Sequence, residues 1–233
     1  MVPREQNASL EADLGEIRLD LDRSLRCGVP EIIYAPGKTV EQIGAAMKAM
    51  RRAGQPALVS RIDPSQQEAL QQEFPQAVVY PQARILALGE GVPSSGAGVG
   101  GISIVSAGTS DLPVAEEAAV TAEWMGARVA RFPDLGVAGL HRLTRRLDEI
   151  REARVLIVVA GMEGALPSVL GGLVDLPLIA VPTSVGYGAS LEGVTALLAM
   201  MSSCVLGITV VNIDNGVGAG VAAARINRLG ENA

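Results

Sequence analysis

The chain contains short polar segments, rich in glycine, whose residue types suit anion binding and proton transfer. Gly108, Thr109 and Ser110 combine small side chains, hydroxyl groups and backbone N–H donors. Such groups bind phosphate when they lie at the start of a helix. Asp111, which follows them, is typical of a helix N-cap or of a carboxylate that binds a ligand hydroxyl or Mg²⁺. The residues alone leave these interpretations open.

Two other segments carry a carboxylate. Glu163 follows Gly161 and Met162 in an otherwise apolar stretch, where a carboxylate suits proton transfer. The alternative is a first-turn glutamate that the helix dipole stabilises. Asp134 follows an apolar run, and the single histidine, His141, falls within the next expected helix, where a structural role is favoured.

A polar loop and a cysteine are further candidates. The loop that contains Thr183, Ser184 and Tyr187 also contains glycines, so we expect it to be flexible. It either closes over a ligand or closes without a role in any reaction. Cys204 precedes an apolar run, and the residues alone favour an unreactive buried thiol. Cys27 is distant in sequence, so we expect two free thiols in a reducing cytoplasm, one disulfide being the alternative.

The last polar segment contains Asp214, Asn215 and Gly216, which follow an apolar run and open a glycine-rich helix. The glycines are too crowded for a dinucleotide fingerprint, and the chain ends before the expected acidic residue. Taken together, the segments predict a site for a ligand of nucleotide or phosphate size, with the reaction left open.

Composition excludes several classes of function. Of 233 residues, 48% are hydrophobic and 19% charged, which indicates a packed core rather than disorder. An aromatic content of 3% and a net charge of −6 disfavour binding to nucleic acid or to anionic membranes. One histidine excludes a His-rich metal site. We expect a cytoplasmic protein, because the N-terminus lacks a signal peptide pattern and the apolar run 194–213 reads as core.

The predicted strands and helices indicate where these polar segments lie in the fold. Apolar runs at 102–106, 128–131, 155–159, 177–181 and 205–211 alternate with helices expected to start near residues 113, 137, 163, 189 and 217. This alternation predicts a doubly wound α/β fold, a three-layer sandwich with a mainly parallel five-stranded sheet. Ligands bind at the carboxyl ends of such strands, where every polar segment except Cys204 is expected.

A small α/β domain is predicted over residues 1–89, followed by a glycine-rich linker at 90–101 and a catalytic domain at 102–233. The helical spacing of Leu14, Ile17, Leu21 and Leu25 predicts an amphipathic first helix. Short strands are expected at 31–35, 57–60, 78–80 and 85–88, with helix starts at Thr39 and Asp63.

The ordered motifs resemble those of one family. They lie at 26–31, 36–39, 108–111, 134–142, 160–167, 183–188 and 211–216. They resemble the LarB family of nickel-pincer cofactor biosynthesis, pyridinium-3,5-biscarboxylic acid mononucleotide synthases, over residues 19–227. The C-terminal part is also similar to N5-carboxyaminoimidazole ribonucleotide mutases, although 161–163 lacks their histidine. The chain departs from the family at Leu191-Glu192, where a Phe-Gly type pair is expected, and at Ser202-Ser203.

The resemblance implies carboxylation at C5 of the pyridinium ring of nicotinic acid adenine dinucleotide and cleavage of its phosphoanhydride to release AMP. Carbon dioxide or bicarbonate is the co-substrate, and Mg²⁺ at Asp111 is expected to assist the cleavage. The resemblance makes Cys204 a covalent nucleophile and Glu163 the group that positions carbon dioxide or takes the C5 proton. Cys27 is left structural.

The resemblance also implies a binding site and an assembly. Substrate contacts are expected from Gly108, Thr109, Ser110, Asp134, Gly161, Met162, Thr183, Ser184, Tyr187, Asp214, Asn215 and Gly216. Lys38 and Arg61 of the small domain are expected to pair with phosphate or carboxylate groups, solvated surface cations being the alternative. A homo-octamer is expected. The alternatives are an aminoimidazole ribonucleotide carboxylase or mutase, and a nucleotide-binding module without catalysis.

Overall fold

The computed structural model describes residues 11–92 and 101–229. The chain divides into two compact units, residues 1–91 and 92–233. Most of the predicted glycine-rich linker, residues 93–100, lies outside the described residues.

The N-terminal unit contains a two-stranded and a four-stranded sheet. The strands are β1 (Glu11–Asp13), β2 (Arg18–Asp20), β3 (Ile32–Tyr34), β4 (Ala57–Ser60), β5 (Val78–Tyr80) and β6 (Ile85–Leu88). The larger sheet has the order β3-β4-β6-β5. β3 pairs with β4 in parallel, and β6 runs antiparallel to both β4 and β5. The last residues of β3, β4 and β5 therefore lie at one edge of this sheet.

The predicted amphipathic first helix is wrong. β1 and β2 form a hairpin in its place, and the Leu14 N–H donates to the Ile17 carbonyl across a turn in which Gly15 has a φ of 87°. Ile17, Leu19 and Leu21 are spaced by two, and they pack against the core of this unit. This strand periodicity overrode the helical one, and only α1 (Arg23–Cys27) is helical.

The other helix starts of this unit are confirmed. α2 (Val40–Arg52) begins with a capping box in which the Thr39 hydroxyl accepts from the Gln42 N–H and the Gln42 side chain accepts from the Thr39 N–H. α3 (Pro64–Glu73) is capped in the same way by Asp63. Both caps satisfy N–H groups that a helix leaves without intrahelical partners.

The C-terminal unit contains the expected sheet, in which all five strands are parallel. They are β7 (Ile102–Ser106), β8 (Val129–Phe132), β9 (Val155–Ala160), β10 (Leu178–Pro182) and β11 (Ile208–Val210). The order is β11-β10-β9-β7-β8. The chain leaves β7 toward one side to form β8 and then crosses to the other side to form β9. The switch point therefore lies between β7 and β9, where such sheets bind ligands.

Helices cover both faces of this sheet. They are α4 (Leu112–Trp124), α5 (Leu140–Thr144), α6 (Leu147–Ile150), α7 (Leu166–Gly171), α8 (Val194–Met201) and α9 (Gly216–Leu229). α4 and α9 pack together on one face, while the core on the other face includes residues of α5, α6, α7 and α8. The doubly wound three-layer fold is thus confirmed.

Several boundaries differ from the prediction, and the helix expected near residue 189 starts at Val194. The last strand starts at Ile208 rather than at residue 205, because Gly207 has a left-handed φ of 91° that an extended strand does not tolerate. The helix expected near Glu163 starts at Leu166. None of the helices within residues 11–92 and 101–229 is long and apolar enough to cross a membrane.

Candidate functional site

Asp111 ties together the loops on both sides of the switch point. It is 3% exposed, its Oδ2 accepts from the Gly108 N–H at 2.9 Å, and its Oδ1 accepts from the Thr183 hydroxyl at 2.6 Å. The backbone of Gly161 also hydrogen-bonds to this carboxylate. One side chain therefore holds the loops that follow β7, β9 and β10, and we name this edge of the sheet the crevice.

Burial raises the pKa of Asp111 above its ordinary value of 3.8. The hydrogen bonds from Thr183, Gly108 and Gly161 oppose the rise, because they favour the charged form, and the negative charge of Asp214 adds to it. The crevice thus contains two carboxylates that interact electrostatically, one of them held inside the fold.

Backbone hydrogen bonds connect the remaining crevice loops. The Met162 N–H donates to the Val185 carbonyl at 2.8 Å. Asp214 contacts the loop after β10 twice: its N–H donates to Pro182, and its Oδ1 accepts from the Ser184 N–H at 2.9 Å. The loops after β7, β9, β10 and β11 therefore form one connected surface, as the sequence predicted for the carboxyl ends.

The crevice loops contain strained backbone. Asp134, Met162 and Asp214 follow the ends of β8, β9 and β11, and each has a left-handed φ between 52° and 58°. Such a conformation costs of order 1 kcal/mol or more for a residue other than glycine, and it is concentrated at functional sites. Its repetition at one edge of the sheet supports a ligand site there.

Glycines allow the loops to approach each other closely. A Cβ on Gly161 would lie 2.4 Å from the Val185 carbonyl oxygen and 2.6 Å from the Thr183 hydroxyl. A Cβ on Gly216 would lie 2.5 Å from the Val114 carbonyl oxygen in α4. No other residue fits either position without displacement of the backbone, so these glycines are part of the construction of the site.

Glu117 is a carboxylate of the site region that the sequence analysis missed. It lies in α4, is 1% exposed, and its Oε2 accepts from the Gly216 N–H at 3.0 Å. This contact fixes the first residue of α9 and with it the loop that carries Asp214 and Asn215. An acidic residue on a helix of alanines and valines was the available signal, but its partner is 99 residues away.

The other predicted residues of the crevice are more accessible. Thr109, Ser110 and Glu163 are exposed, so Glu163 does not occupy the apolar setting that its neighbours suggested. Tyr187 is 81% exposed, and its loop lines an open pocket of about 480 Å³ together with Ser184 and Glu192. In this pocket Leu191 and Glu192 have consecutive left-handed φ angles of 46° and 52°.

Arg142 adds a cation that the sequence analysis did not assign. Its guanidinium donates to the Asp134 carboxylate at 2.5 Å, on the β8 side of the crevice. Asp134 was predicted to contact substrate, and here it orients this guanidinium. His141 lies beside Arg142 in α5, as expected of a helical histidine, and it is exposed.

Cys204 is exposed, so the burial that its apolar neighbours predicted is wrong. It is exposed in the turn between α8 and β11. Ile208 pairs with Leu178, the first residue of β10, so this turn lies at the amino end of the sheet. Its neighbours contact α7: the Ser203 hydroxyl is hydrogen-bonded to the Ser168 hydroxyl, and the Val205 side chain lies against Gly171.

Within one chain, therefore, the thiol lies apart from the crevice. Glu163 precedes the first turn of α7, whereas the cysteine segment lies along the middle and end of that helix. Asp111 follows β7, three strands away from β11. The structure brings together the predicted loops after the strands and leaves Cys204 out of that group.

Lys38, Arg61 and Cys27 belong to the N-terminal unit. Both cations follow the carboxyl ends of its two parallel strands: Lys38 comes after β3, and Arg61 comes directly after β4. Cys27 is exposed at the last residue of α1.

Asp111 does not fit a metal site held by protein ligands. Both of its oxygens accept hydrogen bonds from within the fold. In residues 11–92 and 101–229, no group of three His, Cys, Asp or Glu side chains is arranged to hold a metal ion. The Mg²⁺ predicted at Asp111 therefore enters no step below.

Comparison with known proteins adds three findings. The family model described as LarB/PurE-like N-terminal domain matches residues 11–90, and the model described as AIR carboxylase matches residues 101–233. A protein of Methanocaldococcus jannaschii, described as uncharacterized protein MJ0165, is 42% identical over 223 residues. The match covers 91% of this chain and 84% of that protein.

Proposed function

Because the chain belongs to the LarB family and its C-terminal part to the AIR carboxylase family, we propose that it carboxylates C5 of the pyridinium ring of nicotinic acid adenine dinucleotide and cleaves the phosphoanhydride. The products are pyridinium-3,5-biscarboxylic acid mononucleotide and AMP, for nickel-pincer cofactor synthesis. At the coarser level the protein is an enzyme of the carboxylase or mutase type.

The observation that carries the proposal is the connected crevice. The four loops that follow β7, β9, β10 and β11 are connected along the carboxyl ends of the strands, and Asp111 joins three of them beside the switch point. Exposed Thr109 and Ser110 offer hydroxyls and N–H groups to ribose or phosphate, and Arg142 offers a guanidinium to an anionic group. Tyr187 is free to cover the bound ring.

The chemistry needs a nucleophile, because a pyridinium ring is electron-poor and its C5 does not attack carbon dioxide. We propose that the Cys204 thiolate adds to C4, which converts the ring to a neutral enamine. C5 then forms a bond to carbon dioxide, a base takes the C5 proton, and the electron pair of the C4–S bond leaves with sulfur, restoring the aromatic ring.

Glu163 is the proposed base. Its carboxylate is exposed directly after β9, at the switch point, so it is accessible to the ring of a bound ligand. A glutamate in this position accepts the C5 proton or orients carbon dioxide, whereas the mutases have a histidine in the corresponding segment. Water then cleaves the phosphoanhydride.

The position of Cys204 supports a proposal in which the thiol acts at the crevice of a second copy of the chain. Within one chain Cys204 lies apart from the crevice, but its segment carries exposed apolar side chains, with Leu198 57%, Met201 67% and Leu206 96% exposed. Exposed apolar clusters of this kind mark protein interfaces. We propose that the expected homo-oligomer, an octamer in the resemblance, inserts this segment into a neighbour's crevice.

The decisive experiment incubates the protein with nicotinic acid adenine dinucleotide, Mg²⁺ and ¹³C-bicarbonate, and detects products by mass spectrometry. We expect labelled dicarboxylated mononucleotide and AMP from the natural chain and from Cys27→Ala, the matched cysteine control. We expect none from Cys204→Ala. Intact substrate with the natural chain would contradict the synthase and favour a nucleotide-binding module. Full activity of Cys204→Ala would contradict the covalent step alone.

The second-copy assignment has its own test. Cys204→Ala and Glu163→Gln are each expected to be inactive, and their co-expression is expected to restore product, because mixed oligomers contain sites with both groups intact. If each site took both groups from one chain, the mixture would stay inactive. A monomer by light scattering would also contradict this assignment.

A further inference from the structure

Basic and aromatic side chains gather at one edge of the N-terminal sheet. Tyr34 ends β3, Arg61 follows β4 and Arg84 precedes β6. The register places Tyr34 beside Ser60 and Ser60 beside Ile85, and the Ile62 N–H donates to the Arg84 carbonyl at 3.0 Å. These residues and Lys38 form what we name the basic edge.

The contacts of the basic edge centre on Tyr34. Its side chain is 50% exposed, and the Lys38 ammonium and the Arg61 guanidinium lie 6.0 and 5.9 Å from its ring centroid. The Lys38 ammonium also donates to the Tyr34 carbonyl at 2.8 Å. Arg84 is exposed on the neighbouring strand end. An accessible ring thus lies next to two cations, and a third is one strand away.

The backbone of this edge is strained at its cations. Arg61 and Arg84 have φ angles of 55° and 53°, in the left-handed region that residues other than glycine seldom occupy. Each such residue costs of order 1 kcal/mol or more, and sites that bind ligands are where proteins retain this cost. In a chain with a net charge of −6, an exposed arginine beside two half-buried cations is also a local exception.

We propose that the basic edge is a binding site for a nucleoside phosphate, with the base stacked on Tyr34 and the phosphate held by Lys38, Arg61 and Arg84. Tyrosine rings bind bases by stacking, and arginine and lysine bind phosphate through charge-assisted hydrogen bonds. The assignment of adenylate as the nucleotide rests on the proposed function, because the dinucleotide there contains an AMP half that the reaction releases.

The test is calorimetric titration of the full chain with AMP, inorganic phosphate and adenosine in separate experiments. We expect AMP to bind at least about tenfold more tightly than either fragment, because only AMP engages the ring and the cations together. Binding of AMP no tighter than that of phosphate would overturn the nucleotide assignment, and no binding of AMP would overturn the site.

Variants locate the binding. Arg61→Gln and Arg84→Gln are each expected to weaken AMP binding about tenfold, whereas Arg51→Gln, an exposed arginine at the end of α2, is expected to leave it unchanged. Tyr34→Leu is expected to weaken AMP and to leave phosphate unaffected. Arg61→Lys retains the charge and should retain most of the binding, which separates loss of the cation from misfolding.

Unchanged AMP affinity in Arg61→Gln, Arg84→Gln and Tyr34→Leu would overturn the inference, since AMP would then bind elsewhere. The titrations need no turnover, so they also separate this inference from the proposed reaction. Product without AMP binding at the basic edge leaves the reaction standing and removes this site. AMP binding at the basic edge without product supports this site and contradicts the proposed reaction.

Discussion

The two main sheets of this protein end in opposite chemistry. At the crevice of the C-terminal unit, Asp111 and Asp214 are anchored by hydrogen bonds, and glycines bring the loops into close contact. At the basic edge of the N-terminal unit, Tyr34 and Arg84 are exposed, and Lys38 and Arg61 are half-buried. One edge is fixed and acidic, and the other is open and basic.

The two edges are suited to different tasks. Chemistry at a ring carbon requires groups held within fractions of an ångström, and a buried hydrogen-bonded anchor provides this. Recognition of a phosphate depends on charge and tolerates long, exposed side chains. We therefore expect substitutions at the crevice to change turnover, and substitutions at the basic edge to change affinity.

The largest effect is expected from Gly161→Ala. Its Cβ would overlap the Val185 carbonyl and the Thr183 hydroxyl, and displacement of this loop should lower turnover about 10²-fold. Rates of product formation measure the effect. Gly172→Ala is the matched control, because its Cβ would have 3.6 Å to the nearest atom. Equal loss in both variants would refute the idea that the crevice depends on this close approach.

Glu117→Ala is expected to lower the free energy of unfolding by about 2 kcal/mol, because the Gly216 N–H loses its buried charged acceptor and keeps the Asp214 carbonyl at 3.1 Å. Urea denaturation measures this value. Glu117→Gln keeps an acceptor oxygen and should cost less. An alanine variant as stable as the natural chain would show that α4 does not hold the start of α9, and the crevice would be less fixed than we describe.

Asp111→Asn tests the buried carboxylate through pH. Because burial raises the pKa of Asp111 in the folded state, the unfolded chain releases this proton first as pH rises above about 3.8. The natural chain should therefore lose stability relative to the variant from that value up to the raised pKa, by about 1.4 kcal/mol per pH unit.

Unfolding free energies measured across that pH range decide the question, with exposed Asp175→Asn as the control for a lost charge. A difference between Asp111→Asn and the natural chain that stays flat with pH would contradict the raised pKa of Asp111, because the folded and unfolded chains would then bind its proton equally.

The smallest effect is expected from Thr39→Ala in the N-terminal unit. Loss of the hydroxyl that accepts from the Gln42 N–H should cost about 1 kcal/mol. Far-ultraviolet circular dichroism should show the loss. Fluorescence of Trp124, the single tryptophan, reports on the C-terminal unit. A shift confined to the fluorescence transition would contradict the assignment of this cap to the N-terminal unit.

Much of the fold followed from local pattern. Buried parallel strands are nearly continuous apolar runs, so β7, β9 and β10 were predicted within one residue at each end. The capping boxes at Thr39 and Asp63 were predicted because a cap is complete within four residues. A segment whose apolar residues fit both a helical and a strand spacing was predicted wrongly: the hairpin of β1 and β2 replaced a predicted helix.

The candidate site was predictable in part for the same reason. Parallel strands place their carboxyl ends at one edge, so Gly108, Gly161, Thr183 and Asp214 were expected together before any strand order was known. Glu117 and Arg142 were missed because their roles depend on partners. Gly216 is 99 residues from Glu117, and Arg142 is placed beside the crevice by its ion pair with Asp134.

Local sequence was sufficient to predict the alternation of strands and helices, the caps and the loops that bear polar groups, since each depends on residues a few positions apart. Which strands adjoin depends on the tertiary fold, which places the switch point between β7 and β9. It also buried Asp111 among three loops and left Cys204 exposed at the opposite end of the sheet. Those outcomes depend on packing between segments far apart in the chain, which no local pattern encodes.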